Sequence, residues 1–532
     1  MSHPLCDPPE WRRFSQRIKL LALLPECTRL GQHCRMSSEN HSPTPGFSRN
    51  ADSGAGWRLD HSYAGLPDLL HDPCAPIPVR QPRLFILNRP LAVALGLDPD
   101  VLEREDQAEI FAGNRLPDGA QPLAQAYAGH QFGHFTGLGD GRALLLGEQV
   151  TPDGRRFDIQ LKGSGPTRFS RRGDGRAALG PMLREFVISE AMHALGIPTT
   201  RSLAVATTGE TVMRMEALPG AVLTRVAASH IRVGTFEWVA AHQDPGVLRT
   251  LVQYALHRHF PEHADSETPA LTLLEAVIES QARLIARWMH VGFIHGVMNT
   301  DNMAISGETI DYGPCAFMDA HDPDTVFSSI DHHGRYAYGR QPEIARWNLA
   351  RLAETLLPVL HADGKRAVEL ANAALHGFEP TYTRHWLAGM RAKLGLFTAE
   401  DDDHALVQHL LDWMHQAKAD HTKTFRGLGE SGDRLPLTDP GFSEWQADWK
   451  NRLARQPQST AEVRELMRQH NPAVIPRNHK VEEALEAAQH GDPAPLRKLL
   501  ELLAVPYKTP APRDAEFLEP SPDASYQTFC GT

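Results

Sequence analysis

The run "LTLLEAVIESQARLIARWMHVGF", residues 271–293, constrains this chain more than any other stretch. Its apolar residues recur at the three-to-four spacing of an amphipathic helix, and the run is far too long for a strand. It leads without a linker into "IHGVMNTDN", residues 294–302, and "GETIDYG" over 307–313 then predicts a short strand. Asn302 and Asp311 offer oxygen ligands on this loop and strand. Mg²⁺ takes an octahedral shell of oxygens, usually one or two carboxylates completed by nucleotide phosphates. A turn merely rich in Asn and Asp is the plainer reading.

The elements upstream are of another kind. "RALLLGEQV" (142–150) and "RFDIQLK" (156–162) read as strands, and "TPDGR" between them carries the turn chemistry of a hairpin. A Gly/Arg-rich loop follows, then a helix in "PMLREFVISEAMHALG", with Pro181 in its first turn and Gly196 ending it. Two further strands, "RSLAVATT" and "TVMRMEALPGAVLTRVA", are joined by a "TGE" turn, and from about residue 236 the pattern is helical. The fold class predicted is α+β: a protein-kinase-like bilobal fold with a β-rich N-lobe, a helical C-lobe, and N- and C-terminal extensions. We divide the chain into an over-extended or disordered start (1–55), an N-terminal extension (56–125), an N-lobe (126–235), a C-lobe with the metal loop (236–400) and a helical C-terminal region with a Pro-rich tail that wraps a surface or stays mobile (401–532).

Phosphate-transferring enzymes of that layout carry H-R-D or H-G-D, an Asn five residues after the Asp, and then D-F-G. Here His295-Gly296 is followed by Val297 where the Asp would stand, Asn302 keeps the Asn position, and Asp311-Tyr312-Gly313 replaces D-F-G. Lys162 ends a strand and Glu185 follows 23 residues later on a helix, within range of the lysine–glutamate pair of that fold. Alone, Lys162 reads as a solvated strand end, and the downstream helix glutamate brings the functional reading level with that one. "GLGDGR" places Gly139, Gly141 and Arg142 before a strand, where bare amides approach an anion, although such glycines more often mark a plain turn. Arg142, Arg168, Arg171, Arg172, Arg176, Arg225 and Arg232 are each readable as surface charge, but their number within one lobe argues for a polyphosphate. His130 and His134 invite a zinc reading, which the missing glutamate and the intervening glycines oppose.

A net charge of -11 argues against a general nucleic-acid binder. No apolar run reaches the roughly 18–20 residues that span a bilayer. The six cysteines form no C-x-x-C pair, so a reducing cytoplasm fits best, and Cys530 in "FCGT" is a candidate exposed thiol.

The blocks "YAGHQFGHFTGLGDGRALLLGE", "DIQLKGSGPTRFSRRGDGRAALGPMLREF", "SHIRVGTFE", "HGVMNTDNMAI" and "TIDYGPCAFMD" resemble the selenoprotein O (YdiU) family from about residue 57 to the C-terminus. The resemblance implies transfer of AMP, rather than phosphate, from ATP to Ser, Thr or Tyr hydroxyls of protein substrates, with the ATP reversed relative to kinases. It implies Asp301 as proton acceptor and Asn302 and Asp311 as ligands of Mg²⁺ or Mn²⁺. Gly139, Gly141, Arg142, Lys162, Asp174, Gly175, Arg225, Arg232 and Asp311 fall on its nucleotide-binding positions. Glu185 would hold Lys162, Cys530 takes a place with redox chemistry, and some members transfer UMP from UTP. With ATP turned round, the base need not stand at Val297. A phosphotransferase and an inactive nucleotide-binding scaffold remain the alternatives. Val297 weighs against the first, and the retained Lys162, Asn302 and Asp311 against the second.

Overall fold

The hairpin that the Pro-Asp-Gly turn calls for is present. Strands β7 (Ala143–Val150) and β8 (Arg156–Lys162) are joined by a turn in which the Thr151 amide donates to the Arg155 carbonyl at 2.9 Å and Gly154 adopts φ 83°. The computed structural model describes residues 54–430, 439–522 and 526–529. The hairpin sits within a nine-stranded antiparallel sheet whose main path is β2 (His71–Pro73), β4 (Leu123–Gln125), β7, β8, β11 (Ala217–Ala227), β10 (Arg201–Met213) and β3 (Arg83–Leu87). Two short strands complete it: β1 (Leu59–Asp60) beside β7 and β9 (Ala177–Ala178) beside β11.

Register decides what this sheet presents. Gln160 stands opposite Arg225 and Lys162 opposite Leu223, so the two-residue period places Gln160, Lys162 and Arg225 on one face. Helix α1 (Leu179–Ala194) packs on β10 and β11 and brings Glu185 to that face. The alternate residues Ile159, Leu161, Leu203 and Val222 bury against Leu91, Leu95 and Phe111 on the other side. The predicted "TGE" turn is corrected. Gly209, at φ 68°, forms a bulge between Thr207 and Thr211, the strands run on to Met213 opposite Ala217, and the chain reverses at Arg214–Glu216. The Thr208 hydroxyl accepts from the Glu210 amide at 3.1 Å, a local bond that satisfies the bulge without ending the ladder.

The long amphipathic run forms helix α3 (Pro269–Val291), after α2 (Val233–Ala241). Its buried stripe includes Leu273, Leu274, Val277, Ile278, Leu284, Ile285 and Trp288, and Gly292 ends it in the left-handed conformation, φ 71°. Around it lie α4 (Gln341–Leu360), α5 (Phe378–Lys393), α6 (His421–Gly429) and α7 (Thr460–His470). The strand expected over "GETIDYG" is also corrected. Thr309 makes one isolated bridge to Thr199, and Asp311 takes φ 62°, which breaks the extended run. The tail lies along the body at Thr528, whose hydroxyl donates to the Pro314 carbonyl at 2.7 Å. Cys530 and residues 1–53 lie outside the described residues. Among the described residues Cys74 and Cys315 are free thiols.

Candidate active site

Helix α3 delivers the loop. After Gly292, β12 (Phe293–Ile294) pairs with β13 (Ala316–Phe317), pinning both ends of the segment that holds Asp301, Asn302 and Asp311. His295 is buried at its start. Its amide donates to Gln341 Oε1 at 3.0 Å and its Nε2 to the Ile310 carbonyl at 2.9 Å. That tautomer leaves Nδ1 to accept from the Val297 amide, and Asn302 Nδ2 donates to the Val297 carbonyl at 2.9 Å. Val297 is itself buried, so this position builds the loop and carries no acid.

The sheet face that carries Lys162 and Arg225 meets the loop at Asp311. Lys162 Nζ lies 2.5 Å from Glu185 Oε2 and 3.4 Å from Asp311 Oδ1. Arg225 Nη1 lies 2.6 Å from Asp311 Oδ1 and 3.4 Å from Glu185 Oε1. Arg232 Nη1 donates to Asp311 Oδ2 and, at 2.6 Å, to the Asp301 carbonyl, with its guanidinium 4.6 Å from the Tyr127 ring centre. Burial opposes ionisation of Asp311, but Arg232, Arg225 and Lys162 outweigh it and hold the carboxyl well below its ordinary range. Burial lowers the Lys162 ammonium, and Glu185 counters that. Three cations thus face the carboxylates of Glu185 and Asp311 in a water-poor setting, where charge acts more strongly on an incoming anion than it would in water. The left-handed backbone of Asp311 is a local strain that the surrounding ion pairs over-determine.

Asp301 stands on the same loop under a cover. The hairpin of β5 (Ala128–Gln131) and β6 (His134–Gly137) is clamped onto it: the His130 amide donates to Thr300 Oγ1 at 2.6 Å and the Phe132 amide to Asn299 Oδ1 at 3.1 Å. Glu237 of α2 accepts from both His130 Nδ1 and the Thr300 hydroxyl at 2.6 Å. Residues 231–233 pair with 303–305, fixing Arg232 beside the loop. Asp301 is 7% exposed, its Oδ1 has no hydrogen-bond partner, and Gln131 Nε2 lies 3.5 Å from Oδ2. Burial pushes its carboxyl up to about 6, against Arg232. A carboxyl titrating there is matched to proton transfer near neutral pH.

The structure therefore gathers Lys162, Glu185, Arg225, Arg232, Asp301 and Asp311. Arg142 is close enough to Lys162 for its charge to disfavour the ammonium. Gly139, at φ 106°, and Gly141 lie against Phe169: a Cβ at 139 would come within 2.6 Å of its ring, and Thr167 Oγ1 donates to the Asp140 carbonyl at 2.6 Å. Gly175 accepts from the Gly165 amide at 3.0 Å. Asp174 is held by Arg214 at 2.9 Å, on the outer side of the same loop, and makes no bond to the cluster among the described residues. His130 and His134 sit on two strands, and no group of three or more metal-binding side chains exists among the described residues. Sequence reasoning missed Thr300, Gln131 and Glu237, whose roles arise from contacts across 63 to 170 positions. It also missed Asp140, buried and bonded to Gln160 at 3.1 Å, although it stands inside the quoted "GLGDGR".

The donor set suits a hard divalent cation. Asn302 uses its NH₂ on Val297, which leaves Oδ1 as the free oxygen donor, and Asp311 has lone pairs beyond those its cations occupy. Too few protein ligands for a closed cage is what Mg²⁺ bound with phosphates requires.

An ion-paired strand lysine and helix glutamate, a cation-rich anion pocket and a buried acid define an enzyme that handles nucleotide phosphates. The chain belongs to the protein adenylyltransferase SelO family, whose model matches residues 60–504. It is similar to the protein nucleotidyltransferase YdiU of Syntrophotalea carbinolica, 60% identical over 490 residues, covering 91% of this chain and 99% of that protein. It is 58% identical over 482 residues to the protein of that description from Bacillus cereus, covering 90% of this chain and 99% of the relative. A rhoptry antigen kinase domain of Toxoplasma gondii matches 59% of this chain and 92% of its own at 13% identity, with a TM-score of 0.24, too loose a superposition to bear on function. The chain is thus a nucleotidyltransferase. Among the described residues no helix is long and apolar enough to cross a membrane.

Proposed function

We propose that this enzyme transfers AMP from ATP to Ser, Thr or Tyr hydroxyls of protein substrates, in the cytoplasm. The observation that carries the reading is Asp301: a buried carboxylate with a free oxygen, on the loop that Arg232 ties to the cation cluster, while the kinase base position is the buried Val297. Lys162, Arg225 and Arg232 hold the phosphates, assisted by Arg142 and the Gly139–Gly141 turn, with Asp174 and Gly175 on the Gly/Arg-rich loop after β8. Glu185 positions Lys162. Asn302 and Asp311 would hold Mg²⁺ or Mn²⁺, which supplies charge neutralisation on the phosphates when bound.

In the step itself, the substrate hydroxyl oxygen bonds to the α-phosphorus, the bond from that phosphorus to the bridging oxygen breaks, and pyrophosphate leaves with the electron pair. Asp301 takes the hydroxyl proton. A base in this role contributes roughly 10²–10⁴-fold, and positioning with electrostatic stabilisation supplies most of the remainder.

ATP labelled on the α- or the γ-phosphate tests the proposal. Label on protein from α-ATP alone is the expected result. Transfer of γ-label would make the chain a phosphotransferase, and no transfer of either with nucleotide-dependent thermal stabilisation would make it a scaffold. α-Labelled UTP with Mn²⁺ measures the second nucleotide.

A further inference from the structure

A cavity of about 570 Å³ lies where the end of α1 meets α3, α5 and α7, and it shares no residue with the cluster around Asp311. Its polar wall is Arg283 and Arg287, one turn apart on α3, with Lys393, His290, His385 and His470. Among the described residues that line it there is no Asp or Glu. Lys393 is the anomaly. It is 2% exposed, and its ammonium has no hydrogen-bond or ion-pair partner among the described residues, only the face of Phe425 at 4.2 Å. A buried, unpaired ammonium is costly unless something anionic reaches it.

The wall is tied together by its own hydrogen bonds. Arg287 Nη1 donates to the Gly196 carbonyl at 2.5 Å and the Tyr507 hydroxyl to the Leu195 carbonyl at 3.1 Å, bracing the far end of the helix that carries Glu185. His290 donates to the Trp386 carbonyl at 2.9 Å over Gly389, where any Cβ would strike the imidazole. Ala194, Ala286, Val291 and Ala388 add apolar surface.

We infer that this cavity is a second ligand site, taking a small organic molecule that bears a phosphate or diphosphate group. The anion meets Lys393 with Arg283 and Arg287 at the rim, and the apolar wall receives the organic part. The volume is that of a small-molecule pocket, and a buried lysine at its wall is reached by a compact anion rather than by a protein surface. Burial lowers the Lys393 ammonium to about 7, a cost that an anionic partner relieves.

The test uses the full-length protein in EDTA, with glucose 6-phosphate and inorganic pyrophosphate as probes of unfolding midpoint and calorimetric binding. At least one probe should stabilise the wild type and a Lys162→Met variant, whose nucleotide cluster is impaired, to the same extent. Lys393→Gln and the exposed Arg283→Gln should each weaken that binding at least tenfold. Because Arg283 is exposed, its variant keeps the question open to measurement if Lys393→Gln folds poorly. No stabilisation by either probe at millimolar concentration would overturn the inference. So would binding that survives in both cavity variants but disappears in Lys162→Met. Both results are separable from failure of AMP transfer, since neither involves ATP turnover.

Discussion

Gly129→Ala is the sharpest perturbation this geometry offers. Gly129 lies in β5 with ordinary strand backbone, so alanine is conformationally acceptable, and the obstacle is purely one of space. Its Cβ would fall 2.7 Å from Asp301 Cγ and 2.9 Å from Asp301 Cβ, and closer still to Oδ1. Ordinary carbon contact begins near 3.4 Å, so the carboxyl must retreat by roughly 0.7–1 Å. The hairpin cannot easily yield instead, because His130 and Phe132 bond it to Thr300 and Asn299. Misplacement of a reacting group by ~1 Å can cost about 10²-fold in rate, and overpacking costs about 1–3 kcal/mol of stability. In an assay of α-label transfer, kcat should fall about 100-fold while KM for ATP stays within about threefold, since Lys162, Arg225 and Arg232 are untouched. Gly137→Ala on the partner strand is the control, because its Cβ would meet Trp238 at 3.6 Å, an ordinary contact. A folded Gly129→Ala enzyme with wild-type kcat, or one impaired only in KM, would refute the placement of Asp301 at the reacting centre.

Three further outcomes follow from the buried charges. Glu185→Gln should destabilise the nucleotide-free protein by about 3–5 kcal/mol, measured by denaturant unfolding, because it removes a partner of both Lys162 and Arg225; unchanged stability would show that Asp311 alone balances them. Asp311→Asn should abolish the part of ATP-induced thermal stabilisation that EDTA removes from the wild type, and a variant still sensitive to EDTA would place the metal elsewhere. Lys393 has a folded pKa of about 7 against 10.5 unfolded, so the unfolded state binds more protons between those values and wild-type stability should climb as pH rises from 7 toward 10. Its full effect is bounded by roughly 5 kcal/mol. Denaturant titrations of Lys393→Met should lack that slope and show a larger advantage over wild type at pH 7 than at pH 9.5, whereas parallel curves would mean the ammonium is not desolvated.

Much of the site is legible in single stretches because local chemistry writes it there. The Pro-Asp-Gly turn joins β7 to β8 and brings Lys162 to the end of a strand, while the pairing of β8 with the distant β11 puts Arg225 on the same face. The apolar period of α3 and its terminal glycine aim the chain into the loop that ends with Asn302. Local reading fails where a residue's conformation answers to partners far along the chain. Asp311 leaves the extended run that "GETIDYG" promises because three cations from β8, β11 and the start of α2 converge on it. The "TGE" segment carries turn chemistry yet becomes a bulge, since ladder bonds on both sides of it favour continued pairing.

By itself the amino-acid order determined the class of elements, the order in which they come and the acids, amides and cations available for nucleotide chemistry, because helix period, turn residues and side-chain identity are properties of neighbours. Only the tertiary structure decided which carboxylate is buried with a free oxygen, which glycine makes room for it, and where an unpaired lysine faces a cavity. Those are matters of desolvation and packing between segments up to 312 positions apart, and no local pattern encodes them.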